Sequence, residues 1–166
     1  MSGGLALICV VLFIWTARVA TIESSNALKA PSGTPILLGE RGNKKYYSVN
    51  SLASWYESLE YCHQNLLNSI QIETQQELEY VGSILRKKNW RYNYFWTSGH
   101  DFFSDGNFKW MKTNKLIDRR LNNLFGNSTR PRTYNCVQLS LRSSDVNVLF
   151  DFTCTDSNVQ PLCETA

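Results

Sequence analysis

The sequence predicts an α+β domain in which two helices precede several short antiparallel strands. Two capping boxes predict where the helices begin, because Ser54 and Thr74 are each followed three residues later by a glutamate. Beyond residue 93 the helical spacing gives way to short apolar segments separated by turn residues, which is typical of strands. The chain of 166 residues is long enough for one domain with a real core.

Apolar residues at helical spacing give each predicted helix one buried face. In the first helix these residues are Trp55, Leu59, Cys62 and Leu66, and in the second they are Leu78, Val81, Ile84 and Leu85. The second helix closes with Arg86, Lys87 and Lys88, whose charges suit the negative end of the helix dipole. We therefore expect Cys62 to lie on the buried side of the first helix.

The predicted strands are short and lie mostly in the second half of the chain. They cover residues 45–48, 94–99, 107–110, 137–139 and 148–152, with a turn near residues 143–145 and a last strand that ends at Cys163. The alternating aromatic residues Trp90, Tyr92, Tyr94 and Trp96 are expected in the core rather than in a sugar-stacking site. Residues 111–134 show little pattern, and compact domains rarely keep such a long loop unless it is functional or cross-linked.

An uncharged apolar run, Leu5–Trp15, lies near the start of the chain. It has the length of the hydrophobic region of a signal peptide and is shorter than the roughly 20 residues that span a bilayer. We interpret residues 1–20 as a signal peptide, which predicts a secreted, extracellular protein; an uncleaved membrane anchor is the alternative. Residues 21–44 are rich in small residues and are expected to form an exposed linker, so the domain is expected over residues 45–166.

Cysteine usage predicts two disulfide bonds. Cys9 lies in the leader, and its removal leaves the even set Cys62, Cys136, Cys154 and Cys163. Four cysteines allow three pairings, and the spacing alone does not choose among them. None of the four belongs to a C-x-x-C pair and the chain has only two histidines, which argues against a zinc site.

No residue pattern typical of catalysis occurs in the sequence. Enzymes need a nucleophile beside a base, or paired carboxylates in a pocket. His63 adjoins a cysteine that is expected to be bridged, and His100 is expected in a turn after a strand. We therefore predict a non-enzymatic protein. Only the basic charge would suggest a nucleic-acid partner, and we predict none.

Taken in order, these segments resemble the C-type lectin-like domain over nearly all of residues 45–165. The matching pieces are Tyr46 and Tyr47, Ser54 and Trp55 ahead of the cysteine-bearing helix, residues 67–70, residues 95–99, residues 108–110, and the three closing cysteines. The resemblance is to small single-domain secreted proteins of the insect type. It implies the short form of the domain, with two bridges that pair Cys62 with Cys163 and Cys136 with Cys154.

Sugar-binding members of the family that the chain resembles hold a calcium ion on the long loop and the adjoining strand. Calcium takes six to eight oxygen ligands, several of them carboxylates. In this sequence Arg130 and Arg132 flank Pro131 at the position of the loop motif. Tyr134 replaces the carboxylate that precedes the first inner cysteine, and Phe150 replaces an asparagine ligand. Asp151 alone keeps its position. We therefore predict no calcium at this site and no other cofactor, and we expect Asp151 to be a structural carboxylate.

Basic residues dominate the segment from Arg86 to Arg142, which has twelve lysines and arginines against three aspartates, although the whole chain has a net charge of only +3. We hypothesise that the loop face binds an acidic partner such as a sulfated or sialylated glycan. The candidate ligand-binding residues are Arg119, Arg120, Arg130, Arg132 and Tyr134. The alternative is a solvated basic face that binds nothing.

The function that the sequence and the resemblance favour is carbohydrate binding without the primary calcium site. The alternative is a calcium-independent module that binds a protein partner. Asn127 begins the only N-glycosylation sequon of the chain, which predicts a surface loop in a secreted glycoprotein and a glycan beside the candidate residues.

Overall fold

Two helices and eight strands make up the part of the chain that the computed structural model describes, which comprises residues 29–88, 90, 92–121, 133–142 and 147–165. The strands are β1 (Ile36–Arg41), β2 (Lys44–Ser48), β3 (Asn68–Ser69), β4 (Tyr94–His100), β5 (Lys109–Trp110), β6 (Cys136–Leu141), β7 (Asn147–Phe152) and β8 (Gln160–Glu164). The helices are α1 (Trp55–Gln64) and α2 (Gln75–Lys87), and a short 3₁₀ helix covers Arg119–Leu121. The predicted α+β class is confirmed.

The last strand lies in the middle of the sheet. The strand order is β1-β2-β8-β4-β6-β7, with β3 paired to β8 and β5 paired to β4. Every pair is antiparallel except β4 and β8, where Phe95 lies opposite Gln160 and Trp96 opposite Pro161. Strand β8 therefore joins the N-terminal hairpin β1–β2 to the strands β4, β6 and β7.

Strand β1 lies in the stretch that was expected to be an irregular linker. Residues Ile36 to Arg41 pair with β2 through a register that shifts between Leu37 and Gly39. Within the described residues, regular structure therefore begins at Ile36, and the expectation that it begins at Lys45 was wrong. The short apolar run at 36–38 gains its pairing partner from β2, which a composition of small residues and proline does not reveal.

Both helices begin at the predicted caps, but only α1 has the complete capping box. The Ser54 hydroxyl accepts from the Glu57 amide at 3.4 Å, and a Glu57 carboxylate oxygen accepts from the Ser54 amide at 2.7 Å. The Thr74 hydroxyl accepts from the Glu77 amide at 3.1 Å, whereas the Glu77 carboxylate accepts from the amide of Glu73 at 2.9 Å. The second half of the α2 box is therefore displaced by one residue.

Helix α1 ends before the last residue of its predicted apolar stripe. Asn65 caps the helix, and its side-chain amide donates to the carbonyl of Tyr61 at 2.8 Å. Leu66 then takes a positive φ of 58° and is 92% exposed, so its expected place in the stripe was wrong. The stripe of α2 is confirmed, because Leu78, Val81, Ile84 and Leu85 are all buried.

The sheet of β4, β6 and β7 buries both of its faces to different extents. One face packs in the main core cluster with the α2 stripe, through Phe95, Val137, Leu139, Leu141 and Leu149. The opposite face contributes Trp96 and Cys136 to a smaller cluster with Trp55, Val159 and Cys154. The indole N–H of Trp96 donates to the carbonyl of Ala53 and that of Trp55 donates to the carbonyl of Thr97, both at 2.8 Å. These two bonds fix the start of α1 against β4.

The structure contains the disulfide pairing that the family resemblance implied. Cys62 is bonded to Cys163 and Cys136 to Cys154. The first bond ties α1 to β8, and the second ties the start of β6 to the segment after β7.

Some predictions concern residues outside the described ranges. These are the signal peptide at 1–20, the first part of the linker, the turn at 143–145, the sequon at Asn127, and Arg130 and Arg132. Of the helices in the described ranges, neither has the length and apolar character that crossing a membrane requires.

Candidate functional site

Four aromatic rings form a continuous row along one face of β7, which we call the aromatic ridge: Tyr94, Phe150, Phe152 and Tyr134. Successive centroid distances are 6.2 Å from Tyr94 to Phe150, 6.1 Å from Phe150 to Phe152, and 5.1 Å from Phe152 to Tyr134. Phe150 and Phe152 share a face because alternate residues of a strand point the same way. Distances of 4.5–7 Å are typical of rings that attract one another, so the ridge packs as one unit.

The ridge includes Tyr134 and Phe150, the two positions at which the family resemblance implies metal ligands. Tyr134 and Phe150 bring aromatic rings where a carboxylate and an amide would be needed. Asp151 is 5% exposed and points to the other face of β7, beside the core residue Leu149. Across residues 29–165, leaving out the gaps, no three His, Cys, Asp or Glu side chains are grouped to hold a metal ion. The absence of calcium stays a prediction.

A half-open cavity of about 260 Å³ lies beside the ridge. Its lining residues are Tyr94, Gln138, Phe150, Phe152, Asp156, Asn158 and Val159. Strands β4, β6 and β7 supply the first four of these residues, and the segment between β7 and β8 supplies the others. The cavity therefore has aromatic walls from the sheet and a polar edge from a loop.

Gln138 is the most deeply buried polar group of this cavity. The residue is 3% exposed, and its side-chain oxygen has no hydrogen-bond partner within the described residues. At the edge, one carboxylate oxygen of Asp156 accepts from the backbone amide of Asn158 at 2.9 Å and from its side-chain amide at 3.0 Å. The cavity is therefore lined by a buried amide and by a carboxylate that Asn158 holds in place.

The predicted basic residues that the structure describes do not converge on one site. Arg119 lines a cavity of about 420 Å³ with Asn107 and Leu116, whereas Arg120 lines a separate one of about 450 Å³ beside the start of α2. The Arg120 guanidinium is paired with Asp118 at 2.6 Å, and this hydrogen bond lowers the pKa of the Asp118 carboxyl. Tyr134 lines neither cavity and packs on Phe152 instead.

A second group of aromatic residues lies where β4 ends. The His100 ring stacks on Phe102 at 4.1 Å, and Phe102 meets Trp55 edge-on at 5.5 Å. His100 is the last residue of β4 rather than part of a turn, and burial lowers its pKa. Phe103 is 81% exposed, on a turn that the Asp101 carboxylate holds by accepting from the amides of Asp105 and Gly106.

The sequence did not predict which residues line the cavity, and the prediction for one of them, Tyr94, was wrong. Tyr94 was expected in the core, but it is 46% exposed and is the first residue of the ridge; Trp96 is fully buried as expected. Gln138 and Asp156 carry no recognisable motif. One signal was available, because Gln138 interrupts an otherwise apolar strand segment from Val137 to Leu139, and a buried glutamine in such a place is uncommon.

Comparison with known proteins agrees with this geometry. The sequence model of the lectin C-type domain matches residues 51–165. No protein with curated annotation matches the chain in sequence.

Among solved structures, human lithostathine is similar, with a TM-score of 0.65 and 20% identity over 86% of this chain and 98% of the lithostathine chain. The C-type lectin domain of murine dendritic cell inhibitory receptor 2, in complex with an N-glycan, has a TM-score of 0.62 and 17% identity over 76% of this chain and 93% of its own. The protein SPL-1, in complex with GlcNAc, has a TM-score of 0.61 and 17% identity over 76% of this chain and 90% of its own. At these identities the likeness shows the fold, and the family match covers most of the chain; the protein therefore belongs to the C-type lectin domain family.

Proposed function

We propose that this protein is a secreted, non-enzymatic lectin that binds glycans without a calcium ion at the family's primary site. The observation that carries the proposal is the aromatic ridge, in which Tyr134 and Phe150 occupy ligand positions and pack against Phe152. Phenylalanine and tyrosine side chains supply no carboxylate or amide oxygen to a hard cation, which needs six to eight oxygens, several of them carboxylates. They do supply faces on which the C–H groups of a sugar ring can rest.

Two further features support a glycan-binding protein that works outside the cell. Murine dendritic cell inhibitory receptor 2 and SPL-1, which share this fold, have structures in complex with an N-glycan and with GlcNAc respectively. The two disulfides suit an oxidising compartment, because such bonds form and persist mainly in secreted proteins.

An acidic glycan is the ligand class that the basic charge favours. Arg119 is exposed beside an open cavity, and the Arg142 guanidinium lies 5.9 Å from the centroid of the Phe150 ring. Arginine forms paired hydrogen bonds with sulfate and carboxylate groups. Arg120 contributes less to such binding, since its guanidinium is already held by Asp118.

A glycan array tests the proposal directly. The oxidised protein is applied with and without EDTA and at two salt concentrations. We expect binding that EDTA leaves unchanged. Binding to sulfated or sialylated glycans should weaken at high salt, because salt screens exposed charges. Neutral-sugar binding that EDTA abolishes would show that a calcium site exists and would overturn the calcium-independent function.

A protein-binding module is the second candidate, and exposed aromatic residues favour it. Phe102 and Phe103 are 45% and 81% exposed on the turn after β4, outside the ridge. Exposed aromatic side chains are enriched in protein interfaces. A blank glycan array, with partner binding that free sugars fail to inhibit and that Phe103→Ser weakens, would establish this function instead.

A further inference from the structure

We propose that the cavity beside the aromatic ridge is a subsite for one uncharged sugar ring. This proposal rests on the glycan-binding function and adds the position and chemical class of a terminal sugar that the chain would select. The position lies on the sheet face formed by β4, β6 and β7, and its ligand groups come from side chains rather than from a metal.

The size of the cavity suits a single substituted six-membered ring. Its volume is about 260 Å³, and a cavity of about 150 Å³ is known to accommodate benzene. A pyranose with its hydroxyl groups is larger than benzene and fills the remaining space. A disaccharide would extend past the open side of the cavity into solvent.

The walls offer ring faces and edges rather than charged groups. Tyr94 and Phe150 meet at an interplanar angle of 74°, and Phe150 and Phe152 meet at 73°. These nearly perpendicular rings form a corner, in which one ring presents its face while the next presents its edge. The C–H groups of a pyranose carry partial positive charge and are attracted by the negative face of an aromatic ring.

Gln138 lines the cavity, and its side-chain oxygen is a hydrogen-bond acceptor without a donor among the described residues. The Gln138 side-chain oxygen is buried without a partner among the described residues, and burial of an unpaired amide oxygen costs free energy. Buried polar groups in folded proteins are nearly always paired. That oxygen exposes almost no surface in the free protein, so a sugar hydroxyl reaches it only when the Gln138 side chain turns toward the cavity, and the new hydrogen bond then recovers part of that cost.

The rim selects against acidic sugars. Asp156 places a carboxylate at the edge, and its orientation is fixed by the two hydrogen bonds from Asn158. A carboxylate can accept from a sugar hydroxyl, whereas a carboxylate or sulfate on the sugar ring would meet a like charge. The cavity itself therefore prefers uncharged sugars, whereas Arg142, which lies 5.9 Å from the Phe150 centroid but does not line the cavity, is available to an acidic group outside it.

The segment that supplies the rim is held in place before a ligand arrives. Cys154 is bonded to Cys136, and its carbonyl accepts from the amide of Trp55 at 3.0 Å. At the other end of the segment, Val159 forms an isolated bridge with Ala53. A preformed site loses little entropy when it binds.

The test uses free monosaccharides as probes, measured by NMR on the oxidised protein labelled with ¹⁵N. N-acetylglucosamine, methyl α-mannoside and methyl β-galactoside are titrated, with glucuronic acid as the charged comparison. We expect at least one neutral sugar to shift the side-chain amide signal of Gln138, and glucuronic acid to bind more weakly. Gln138→Leu and Tyr94→Ala are each expected to weaken binding about tenfold.

Two controls keep the outcome clear. Tyr94 is exposed at the sheet surface, so Tyr94→Ala is expected to fold even if Gln138→Leu does not. Tyr56 is 40% exposed on α1 and lines no part of this cavity, so Tyr56→Ala should bind like the unaltered protein.

The possible results separate the subsite from the proposed function. Binding to the array with no monosaccharide effect at Gln138 and no loss in Tyr94→Ala would overturn the subsite and leave glycan binding in place. A blank array together with no monosaccharide shift would overturn both. Shifts by a neutral sugar that Tyr94→Ala abolishes support the subsite.

Discussion

At the scale of single residues, Gly99 shows how closely the strands of the sheet of β4, β6 and β7 meet their neighbours. A Cβ atom at this position would lie 2.7 Å from the Cβ of Val137 and 2.9 Å from the Cδ1 of Ile117. Real Cβ atoms are rarely found so close to other atoms. Glycine therefore lets β4 approach β6 and lets Ile117, from the long loop, pack on the strand.

We expect Gly99→Ala to lower the free energy of unfolding by about 1–3 kcal/mol, because the added methyl group displaces packed side chains. Urea unfolding followed by tryptophan fluorescence measures the change. Gly42→Asn is the matched control, since Gly42 has open space around it and a φ of 58° that asparagine tolerates. Equal stability of Gly99→Ala and the unaltered protein would mean that β4 can shift without cost.

A second prediction at this scale concerns the metal-ligand positions. The double change Arg130→Glu and Arg132→Asn creates the loop motif Glu-Pro-Asn around Pro131. We expect no calcium binding by calorimetry, because Tyr134 and Phe150 still place rings where oxygen ligands are required. Millimolar or tighter calcium affinity, in this variant or in the unaltered protein, would contradict the role that we assign to the ridge.

At the scale of elements, the half-buried Lys44 joins β2, α2 and β8. The Lys44 ammonium lies 3.0 Å from a Glu77 oxygen on α2 and 3.0 Å from a Glu164 oxygen on β8. The hydroxyl of Tyr46 also donates to Glu77 at 2.9 Å. Burial alone would lower the pKa of Lys44, but the bonds with Glu77 and Glu164 outweigh it and the pKa is raised. One cation therefore serves two carboxylates.

This arrangement predicts a pH dependence of stability. Burial raises the pKa of Glu164 from 4.5 to about 7, although the Lys44 charge acts in the opposite direction. Between these two values the folded chain keeps a proton that the unfolded chain has lost. The contribution of this carboxyl to stability is therefore greatest below pH 4.5, and it declines as the pH rises toward 7.

We expect Glu164→Gln to remove that decline. The unfolding free energy of the variant, relative to the unaltered protein, should rise by about 2–3 kcal/mol between pH 5 and pH 8. Urea unfolding at each half-unit of pH gives the comparison, and Glu60→Gln on the surface of α1 is the control. A difference that does not change with pH would show that Glu164 is ionised throughout.

Several elements could be predicted from local sequence because local interactions create them. The capping residues Ser54 and Thr74 act within one helical turn, so both helix starts were found. The contacts of Glu77 with Lys44 and Tyr46 could not be predicted, since these partners are about thirty residues away in the sequence. Strand β1 was missed for the same reason, because only its pairing with β2 makes it a strand.

Some features of the candidate site could likewise be predicted from local sequence, and others could not. The departures at Tyr134 and Phe150 from the family pattern were visible because each residue lies a few positions before a cysteine, Cys136 or Cys154, that marks its place in the pattern. The cavity was not visible, since it forms only where three strands meet the segment after Cys154. That Arg119 and Arg120 line different cavities also required tertiary information, because neighbours on a 3₁₀ helix point in different directions.

At the scale of the whole molecule, β8 makes the chain one unit. It lies between β2 and β4, so the end of the chain completes a sheet that the first strands begin. Cys163 on β8 is bonded to Cys62 across 101 residues, whereas the bond from Cys136 to Cys154 closes only 18. The two bonds therefore constrain the unfolded chain to different extents.

We predict that the two disulfides contribute unequally to stability. In the chain-entropy description, loss of the outer bond costs about 4.7 kcal/mol and loss of the inner one about 3 kcal/mol. The variants are Cys62→Ala with Cys163→Ala, and Cys136→Ala with Cys154→Ala, each compared with the unaltered protein by guanidinium unfolding. Since whole domains have only 5–15 kcal/mol of stability, the outer variant should be close to unfolded at 37 °C.

The inner variant separates stability from binding. This variant should remain folded at 25 °C, but the segment that carries Asp156 loses its covalent tie to β6. We therefore expect it to bind neutral monosaccharides more weakly than the unaltered protein, even under conditions in which both are fully folded. Titration at a temperature where both proteins are fully folded measures this effect. A larger stability loss in the inner variant than in the outer one would show that native packing around β6, rather than chain entropy, decides what each bond contributes.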